Sequence, residues 1–321
     1  MRQALADGNN IAKTAYSVKG GLKNSRGTYT GMTLVAIDMI RTYLAASPET
    51  QEVVFAWDSS PTWRHDYYPE YKANRKIKRE RPGRPEQEDY DFPAQKRLLQ
   101  KSLAYFGIPQ IEVDLMEADD IAGMWMKTTT HPITFISNDI DWMQVLQNPL
   151  HNIYRTLEKE FVGPDQFEKR AKGCKNADEF IRMYGIQGQS KDNIPGIAGV
   201  GPVTALKYLR GELPTKTAKQ KETLAAIEAW VADPNGYDRS LTLTKLGAIP
   251  EKYARGVIHE TPAQFDAQVV RDLMTEFEAN ARLAKFDEFI APFEKLHQYR
   301  LERDNYVRDQ EAPGADRPSD Q

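Results

Sequence analysis

Cysteine is almost missing from this chain. The single Cys174 among 321 residues excludes an intramolecular disulfide and a cysteine-rich zinc site, and it fits a reducing cytoplasm. Histidine is sparse too: His65, His131, His151, His259 and His297 lie scattered without ligand spacing, so no imidazole metal centre is indicated. No window approaches the run of roughly eighteen apolar residues that a membrane span needs, and Met1-Arg2-Gln3-Ala4-Leu5-Ala6-Asp7 lacks the apolar stretch of a signal peptide. A cytoplasmic location without a membrane partner is therefore expected. Nor is there an excess of positive charge. Lys and Arg number 43 against 46 Asp and Glu, a net −3, which argues against a nonspecific basic coat for nucleic acid. Nucleic acid stays open as a substrate, because acidic metal ligands offset any local positive surface.

What is present is carboxylate in a particular arrangement. Met116-Glu117-Ala118-Asp119-Asp120-Ile121-Ala122-Gly123 places three acids within four positions. Carboxylates this close repel one another, and a bound cation is the natural compensation. The pattern of apolar run followed by acid recurs. Gln3-Ala4-Leu5-Ala6 reads as a strand that ends at the turn-rich Asp7-Gly8-Asn9-Asn10; Glu52-Val53-Val54-Phe55-Ala56-Trp57 delivers Asp58; Ile133-Thr134-Phe135-Ile136-Ser137 precedes Asp139-Ile140-Asp141. Further strands are predicted at Gln110-Ile111-Glu112-Val113 and Asn152-Ile153-Tyr154. Helical patterns run from Met32 to Ala46 and through Leu98, Leu99, Leu103 and Phe106, and another opens at Glu117. Strand and helix alternating over residues 1–175 predict an α/β fold with a mostly parallel central sheet covered by helices. Ligands bind at the carboxyl edge of such sheets, so Asp7, Asp58, Glu117, Asp119, Asp120, Asp139 and Asp141 are expected to converge on one crevice. Acids in a first helical turn also serve the macrodipole, which accounts for Glu117 and Asp120 taken alone. It does not account for acids at four strand ends.

An insertion over residues 60–95 changes character. Arg64, Lys72, Arg75, Lys76, Lys78, Arg79, Arg81 and Arg84 outweigh Asp66, Glu70 and Glu80, with Trp63, Tyr67, Tyr68 and Tyr71 interleaved. A solvated charged helix would explain the charge; the aromatic residues add what single-stranded nucleic acid requires, stacking surfaces between cations. Beyond 175 helical patterns dominate to about residue 300. Gln187-Gly188-Gln189-Ser190-Lys191-Asp192-Asn193-Ile194-Pro195-Gly196 leads into Gly199-Val200-Gly201 and a helix through Ala205, Leu206, Tyr208 and Leu209. The glycines suit a tight turn with exposed backbone N–H groups beside a helix N-terminus, a phosphate contact, and equally suit a plain inter-helix turn. Helices are also expected over 217–232 and 268–300. Residues 301–321 are rich in Pro, Asp and Gly and read as a disordered tail.

Ala6-Asp7-Gly8-Asn9, Phe55-Ala56-Trp57-Asp58, Trp63-Arg64 through Tyr71-Lys72-Ala73-Asn74-Arg75, Met116 to Asp120, Asn138-Asp139-Ile140-Asp141 and Asp192-Asn193-Ile194-Pro195-Gly196 with Gly199-Val200-Gly201 occur in an order that is highly specific. In it the chain resembles the 5′-nuclease (flap endonuclease-like) superfamily, in particular phage 5′→3′ exonucleases and the 5′-nuclease domain of bacterial DNA polymerase. The resemblance implies a PIN-like core over 1–175 and a helical DNA-binding domain over 176–300 with a helix-hairpin-helix at 194–209. It implies Asp7, Asp58, Glu117 and Asp119 nearest the catalytic metal, with Asp120, Asp139, Asp141 and Asp192 completing a second carboxylate set. Lys72 and Arg75 would contact the scissile phosphate under a helical arch, Tyr71 would stack beside them, and Arg64, Lys76, Lys78, Gly199, Gly201, Thr204 and Lys207 would contact DNA. Two Mg²⁺ ions, replaceable by Mn²⁺, would activate water and neutralise the leaving oxygen, giving 5′-phosphate and 3′-hydroxyl ends, with K⁺ at the hairpin. Asp58, Asp119, Lys72 and Arg75 carry the chemistry in this reading. The substrates implied are DNA with 5′ ends, flaps or nicks, and RNA–DNA hybrids, with replication proteins as partners. Two features depart from the family: Gln189 stands where an acid is usual and Asn138 where glycine is usual. Two other classes remain for the same residues, an aspartate-nucleophile phosphatase built on Asp139-Ile140-Asp141 and a catalytically silent, structure-selective DNA-binding protein.

Overall fold

The computed structural model describes residues 2–74 and 90–311, with side chains as far as residue 306. Its centre is a seven-stranded sheet in the order β6-β5-β4-β1-β2-β3-β7. The strands are β1 (Gln3–Asp7), β2 (Glu52–Trp57), β3 (Gln110–Val113), β4 (Ile133–Ile136), β5 (Asn152–Arg155), β6 (Glu160–Val162) and β7 (Ile258–Thr261). The inner five are mutually parallel, and β6 and β7 close the two edges antiparallel. From β1 the chain moves outward through β2 and β3, then returns to β4 and β5 on the other side. The reversal makes β1 and β4 the switch point, where a crevice opens at the carboxyl ends of the strands.

Side chains alternate across the sheet with the two-residue period of a strand. Leu5, Val54 and Ala56 enter one apolar core with Ile121, Phe135, Trp142 and Phe180. Ala4, Ala6, Val53, Phe55 and Trp57 enter the other, with Ile37, Ile40, Leu99, Leu103, Phe289 and Phe293. Because both faces are covered, β1 and β2 are apolar runs with no polar face, as a parallel sheet requires. The second core is built from α1 (Gly8–Lys19), α2 (Gly31–Ala46), α4 (Phe92–Tyr105), α10 (Ala267–Glu276) and α11 (Phe286–Glu311). The first is built from α5 (Ala118–Thr128), α6 (Ala177–Gln187), α7 (Pro202–Leu209) and α8 (Ala218–Val231), with α9 (Arg239–Thr244) packed on it through Leu241.

Several expectations change. Asp7-Gly8-Asn9-Asn10 is not a turn but the start of α1, with Asp7 as the N-cap accepting from the Asn10 N–H at 2.9 Å. A Cβ on Gly8 would lie 2.6 Å from the Trp57 ring, so glycine lets α1 leave the strand directly beside β2. The helical part does not run undivided from 176 to 300: β7 adds an edge strand to β3, and α10 and α11 pack on the sheet. All four residues of β7 are exposed, so the strand carries no apolar alternation to betray it. Residues 301–311, expected in a disordered tail, continue α11. The expected insertion at 60–95 is also narrower, since α3 (Trp63–Tyr67) and Tyr71 join a small buried cluster with Ile194, Leu243 and Tyr253, and α4 belongs to the core. Arg75, Lys76 and Lys78 lie outside the described residues. Among the described residues no helix is long and apolar enough to cross a membrane.

Candidate metal centre

Four strand ends bring the acids to one edge. Asp7 closes β1 and is buried; its other oxygen accepts from the Ser137 hydroxyl, just past β4, at 3.0 Å. Asp58, just past β2, accepts from the Ala118 N–H at 2.9 Å and so ties β2 to the first turn of α5. Asp119, in that turn, accepts from the Trp142 indole at 2.7 Å. Glu117, the α5 N-cap, is buried and takes Lys72 Nζ at 2.6 Å on one oxygen and the Tyr71 hydroxyl at 3.1 Å on the other.

The electrostatics divide these acids. Burial, reinforced by the charges of Asp58 and Asp139, pushes Asp7 up to about 7. Burial, then Glu117, Asp7 and Asp139, holds Asp119 well above the usual carboxylate range. Glu117 is driven the other way, to about 2: burial raises it, but Arg64 and Lys72 outweigh that. Asp7 and Asp119 therefore carry the unrelieved charge of the site; among the described residues neither has a lysine or arginine partner.

Asp120, expected in the second carboxylate set, is committed to Arg64. It is fully buried, and Arg64 grips it with Nη1 at 2.6 Å and Nη2 at 2.9 Å, while the Trp63 indole and the Glu117 N–H each donate at 3.0 Å. Four hydrogen bonds, three on Oδ2 and one on Oδ1, tie this buried carboxylate to α3 and to the start of α5, so Asp120 anchors one to the other. The same geometry removes Arg64 from the DNA contacts: it is 2% exposed, and its Nε reaches the Leu243 carbonyl. Tyr71 is likewise buried, its hydroxyl committed to Glu117, so its ring is no open stacking surface.

A second set lies alongside. Asp139 accepts from Lys191 Nζ at 2.7 Å, and Asp141 accepts from the Gln189 carboxamide at 3.2 Å. With Asp192 and Lys172 they line a cavity of about 470 Å³. Burial and Asp139 push Asp141 up to about 7. Burial raises Asp139 as well, but Lys191 more than offsets it and the group ends below its ordinary value. The loop carrying Gln189, Lys191 and Asp192 is closed by backbone bonds between Gln189 and Ile194, and it is stapled to the segment bearing Lys72. Lys72 N donates to the Asp192 carbonyl at 2.8 Å, Asn74 to Ser190 at 2.5 Å and Asn193 to Glu70 at 2.8 Å. Gly199 is exposed with φ +79, and a Cβ at Gly199 or Gly201 would meet nothing within 4 Å, so the backbone before α7 stands open; Thr204 is half-buried and Lys207 exposed.

Among the described residues no three histidine, cysteine, aspartate or glutamate side chains are arranged to hold a metal ion. The donor chemistry of the first set nevertheless fits one. Its donors are all oxygen, its charge is in excess, and Asp7 and Asp119 have only neutral hydrogen-bond donors. Sequence reasoning did not find Ser137 and Trp142, which orient Asp7 and Asp119, nor the lysines of the second set. A tryptophan just after a strand-end acid pair was the available signal for Trp142.

The geometry agrees with the comparisons. Residues 2–172 match the family described as 5′-3′ exonuclease, N-terminal resolvase-like domain. The chain belongs to that family and is a nuclease. It is 31% identical over 203 residues to DNA polymerase I of Rhizobium leguminosarum, covering 59% of this chain and 18% of that protein. With DNA polymerase I of Chloroflexus aurantiacus it shares 27% over 299 residues, 88% of this chain and 29% of the relative. The chain thus spans less than a third of the length of these curated relatives. Among solved structures, the T5 5′-exonuclease with bound zinc aligns at a TM-score of 0.61 and 18% identity, covering 93% of this chain and 99% of that one. Flap endonuclease-1 from Methanococcus jannaschii aligns at 0.55 and 15%, covering 94% and 93%. These likenesses show the 5′-nuclease fold. Family membership leaves no place for the phosphatase reading.

Proposed function

We propose that the chain is a divalent-metal-dependent 5′→3′ exonuclease and flap endonuclease that cuts DNA at 5′ ends, flaps and nicks, leaving 5′-phosphate and 3′-hydroxyl ends. The observation that carries this is the pair Asp7 and Asp119, acids held at the sheet's carboxyl edge without a cation of their own among the described residues. Asp7, Asp58, Glu117 and Asp119 would hold the ion, with Mg²⁺ suited to oxygen donors and Mn²⁺ able to replace it. When bound, such an ion neutralises charge at the phosphate and makes a water acidic enough to attack.

The chain's own groups do the rest. Lys72 Nζ, now on Glu117, is placed to move onto a phosphate oxygen entering the crevice, and Arg75 is proposed to add a second positive charge. The Tyr71 hydroxyl keeps Glu117 oriented while Lys72 leaves it, and its own raised pKa, from burial and then Glu117, keeps it a donor. Trp142 and Ser137 fix Asp119 and Asp7 in the same way. The open backbone at Gly199 and Gly201, with Thr204 and Lys207, would grip the duplex as a helix-hairpin-helix with K⁺ in its loop, and Lys76 and Lys78 would contact DNA. RNA–DNA hybrids as further substrates and replication proteins as partners belong to the same proposal.

The test is cleavage of 5′-labelled flap and nicked duplex DNA in Mg²⁺ by the parent, Asp58→Asn and Asp119→Asn. Loss of cleavage in both variants is expected. Parent-like rates in either would sink the assignment.

A further inference from the structure

The second carboxylate set differs from the first in what already sits on it. Lys191 Nζ lies 2.7 Å from Asp139 Oδ2, the Gln189 carboxamide donates to Asp141 at 3.2 Å, and Lys172 lines the same cavity. Lys172 Nζ also stands 4.6 Å over the Tyr184 ring, on the cavity wall. Three carboxylates, Asp139, Asp141 and Asp192, thus face two ammonium groups, a formal charge of −1. In the first set five carboxylates, Asp7, Asp58, Glu117, Asp119 and Asp120, face the two cations Lys72 and Arg64, a formal charge of −3, with Arg64 paired to Asp120 at 2.6 Å and to Glu117 at 3.6 Å. A dication is drawn by net negative charge and by carboxylate oxygens free to turn toward it. The first set offers the charge, and its Asp7 and Asp119 take hydrogen bonds from neutral donors alone. In the second an amide and an ammonium occupy the oxygens of two of the acids.

We infer that Lys191, backed by Lys172 and by the Gln189 carboxamide, stands in for a second divalent ion at Asp139, Asp141 and Asp192, so that the chain binds one such ion. The inference rests on the metal-dependent reading above. The backbone makes the substitution a built feature. Gln189 and Ile194 exchange main-chain hydrogen bonds at 3.0 and 3.1 Å, and Asp192 N donates to the Gln189 carbonyl at 3.1 Å, so residues 189–194 form a closed loop that aims Lys191 at Asp139. A Cβ on Gly196 would fall 2.2 Å from the Gln187 backbone, which is how the chain closes back on α6 to hold that loop. Lys191 leaves much of its stem in solvent while its head reaches the acid, so removing it disturbs little packing.

The experiment counts ions without using activity. The metal-free full chain is titrated with Mn²⁺, and free Mn²⁺ is read from its electron paramagnetic resonance signal. One Mn²⁺ per parent chain is expected. Lys191→Ala, and Lys191→Gln as a variant that keeps the bulk, should each raise the count from one Mn²⁺ to two over the concentration range in which the parent takes up one, since a positive charge in contact with the site is lost. Two Mn²⁺ on the parent chain overturn the inference, as does a count of one that persists in both variants. No Mn²⁺ on the parent would instead overturn the metal-dependent reading beneath it, and Asp119→Asn, which leaves Lys191 in place, separates the two because it should abolish the first ion alone.

Discussion

Asp119 and Asp141 are both half-buried acids beside Asp139, and both are raised by burial first and by neighbouring carboxylates second. Their partners differ. Asp119 accepts from an indole, which orients it and leaves its charge whole; Asp141 accepts from Gln189 beside a lysine that neutralises its neighbour. The difference teaches that proximity of carboxylates does not define a metal site. What separates the two sets is charge left unrelieved by the chain: among the described residues Asp7 and Asp119 have no cation partner, while Lys191 pairs with Asp139.

The largest effect should separate the two sets by activity. Asp119→Asn is expected to lower flap cleavage in Mg²⁺ by ~10³-fold or more, as loss of a group that stabilises transition-state charge does. Asp141→Asn should cost about tenfold or less. Single-turnover rates on a 5′-labelled flap measure both, and equal losses would erase the distinction.

Next comes an acid that sequence places among the ligands and geometry commits to Arg64. Asp120→Ala leaves Arg64 buried without its bidentate partner, and breaking such a pair costs about 3 kcal/mol or somewhat more. Urea unfolding should show that loss, while the Mn²⁺ count of the folded protein stays at the parent value. A stable Asp120→Ala protein that has lost its ion would return Asp120 to the ligand set.

Acidity gives the third test. Asp7 and Asp141 titrate near 7 in the folded chain against 3.8 in an exposed one, so between about pH 4 and 7 the folded state holds more protons than the unfolded. Stability of the metal-free protein therefore falls as pH rises through that window. Glu117 works in the opposite sense and lower down: held near 2, it contributes above its ordinary 4.5 and loses that contribution as pH falls toward 2. The melting temperature in EDTA should peak near pH 4–5 and decline toward 7, the decline should be shallower in Asp7→Asn, and Mg²⁺ should reverse it. A flat profile from 4 to 7 would mean that the first set is not strained by its own charge.

These contrasts also show how far the residues spoke for themselves. The five parallel strands and the acids at their ends were readable because a strand buried on both faces is an apolar run, and an acid that interrupts one stands out. β7 was invisible because an exposed edge strand needs no apolar side chain. The Arg64–Asp120 pair was misread for a different reason. Sequence shows charge but not burial, and an arginine among lysines and tyrosines looks like a surface residue until its carboxylate partner, 56 positions away, is folded against it. Lys191 escaped notice likewise, as one lysine in a polar loop.

Gln189 is where the smallest change should sharpen the comparison most. Its carboxamide donates to Asp141 at 3.2 Å, so it both withholds a carboxylate and occupies an oxygen. Gln189→Asp reverses the two at once, taking the formal charge of the second set from −1 to −2 and freeing Asp141, yet it leaves Lys191 on Asp139. A second Mn²⁺ should therefore bind Gln189→Asp more weakly than Lys191→Ala, because the added charge is partly screened in an open cavity. Calorimetric Mn²⁺ titration of Gln189→Asp, Lys191→Ala and the double variant reads the order directly. If Gln189→Asp alone gives a tight second ion and Lys191→Ala adds nothing, the missing carboxylate rather than the lysine sets the count, and the two clusters differ by one ligand instead of by their own counter-cations.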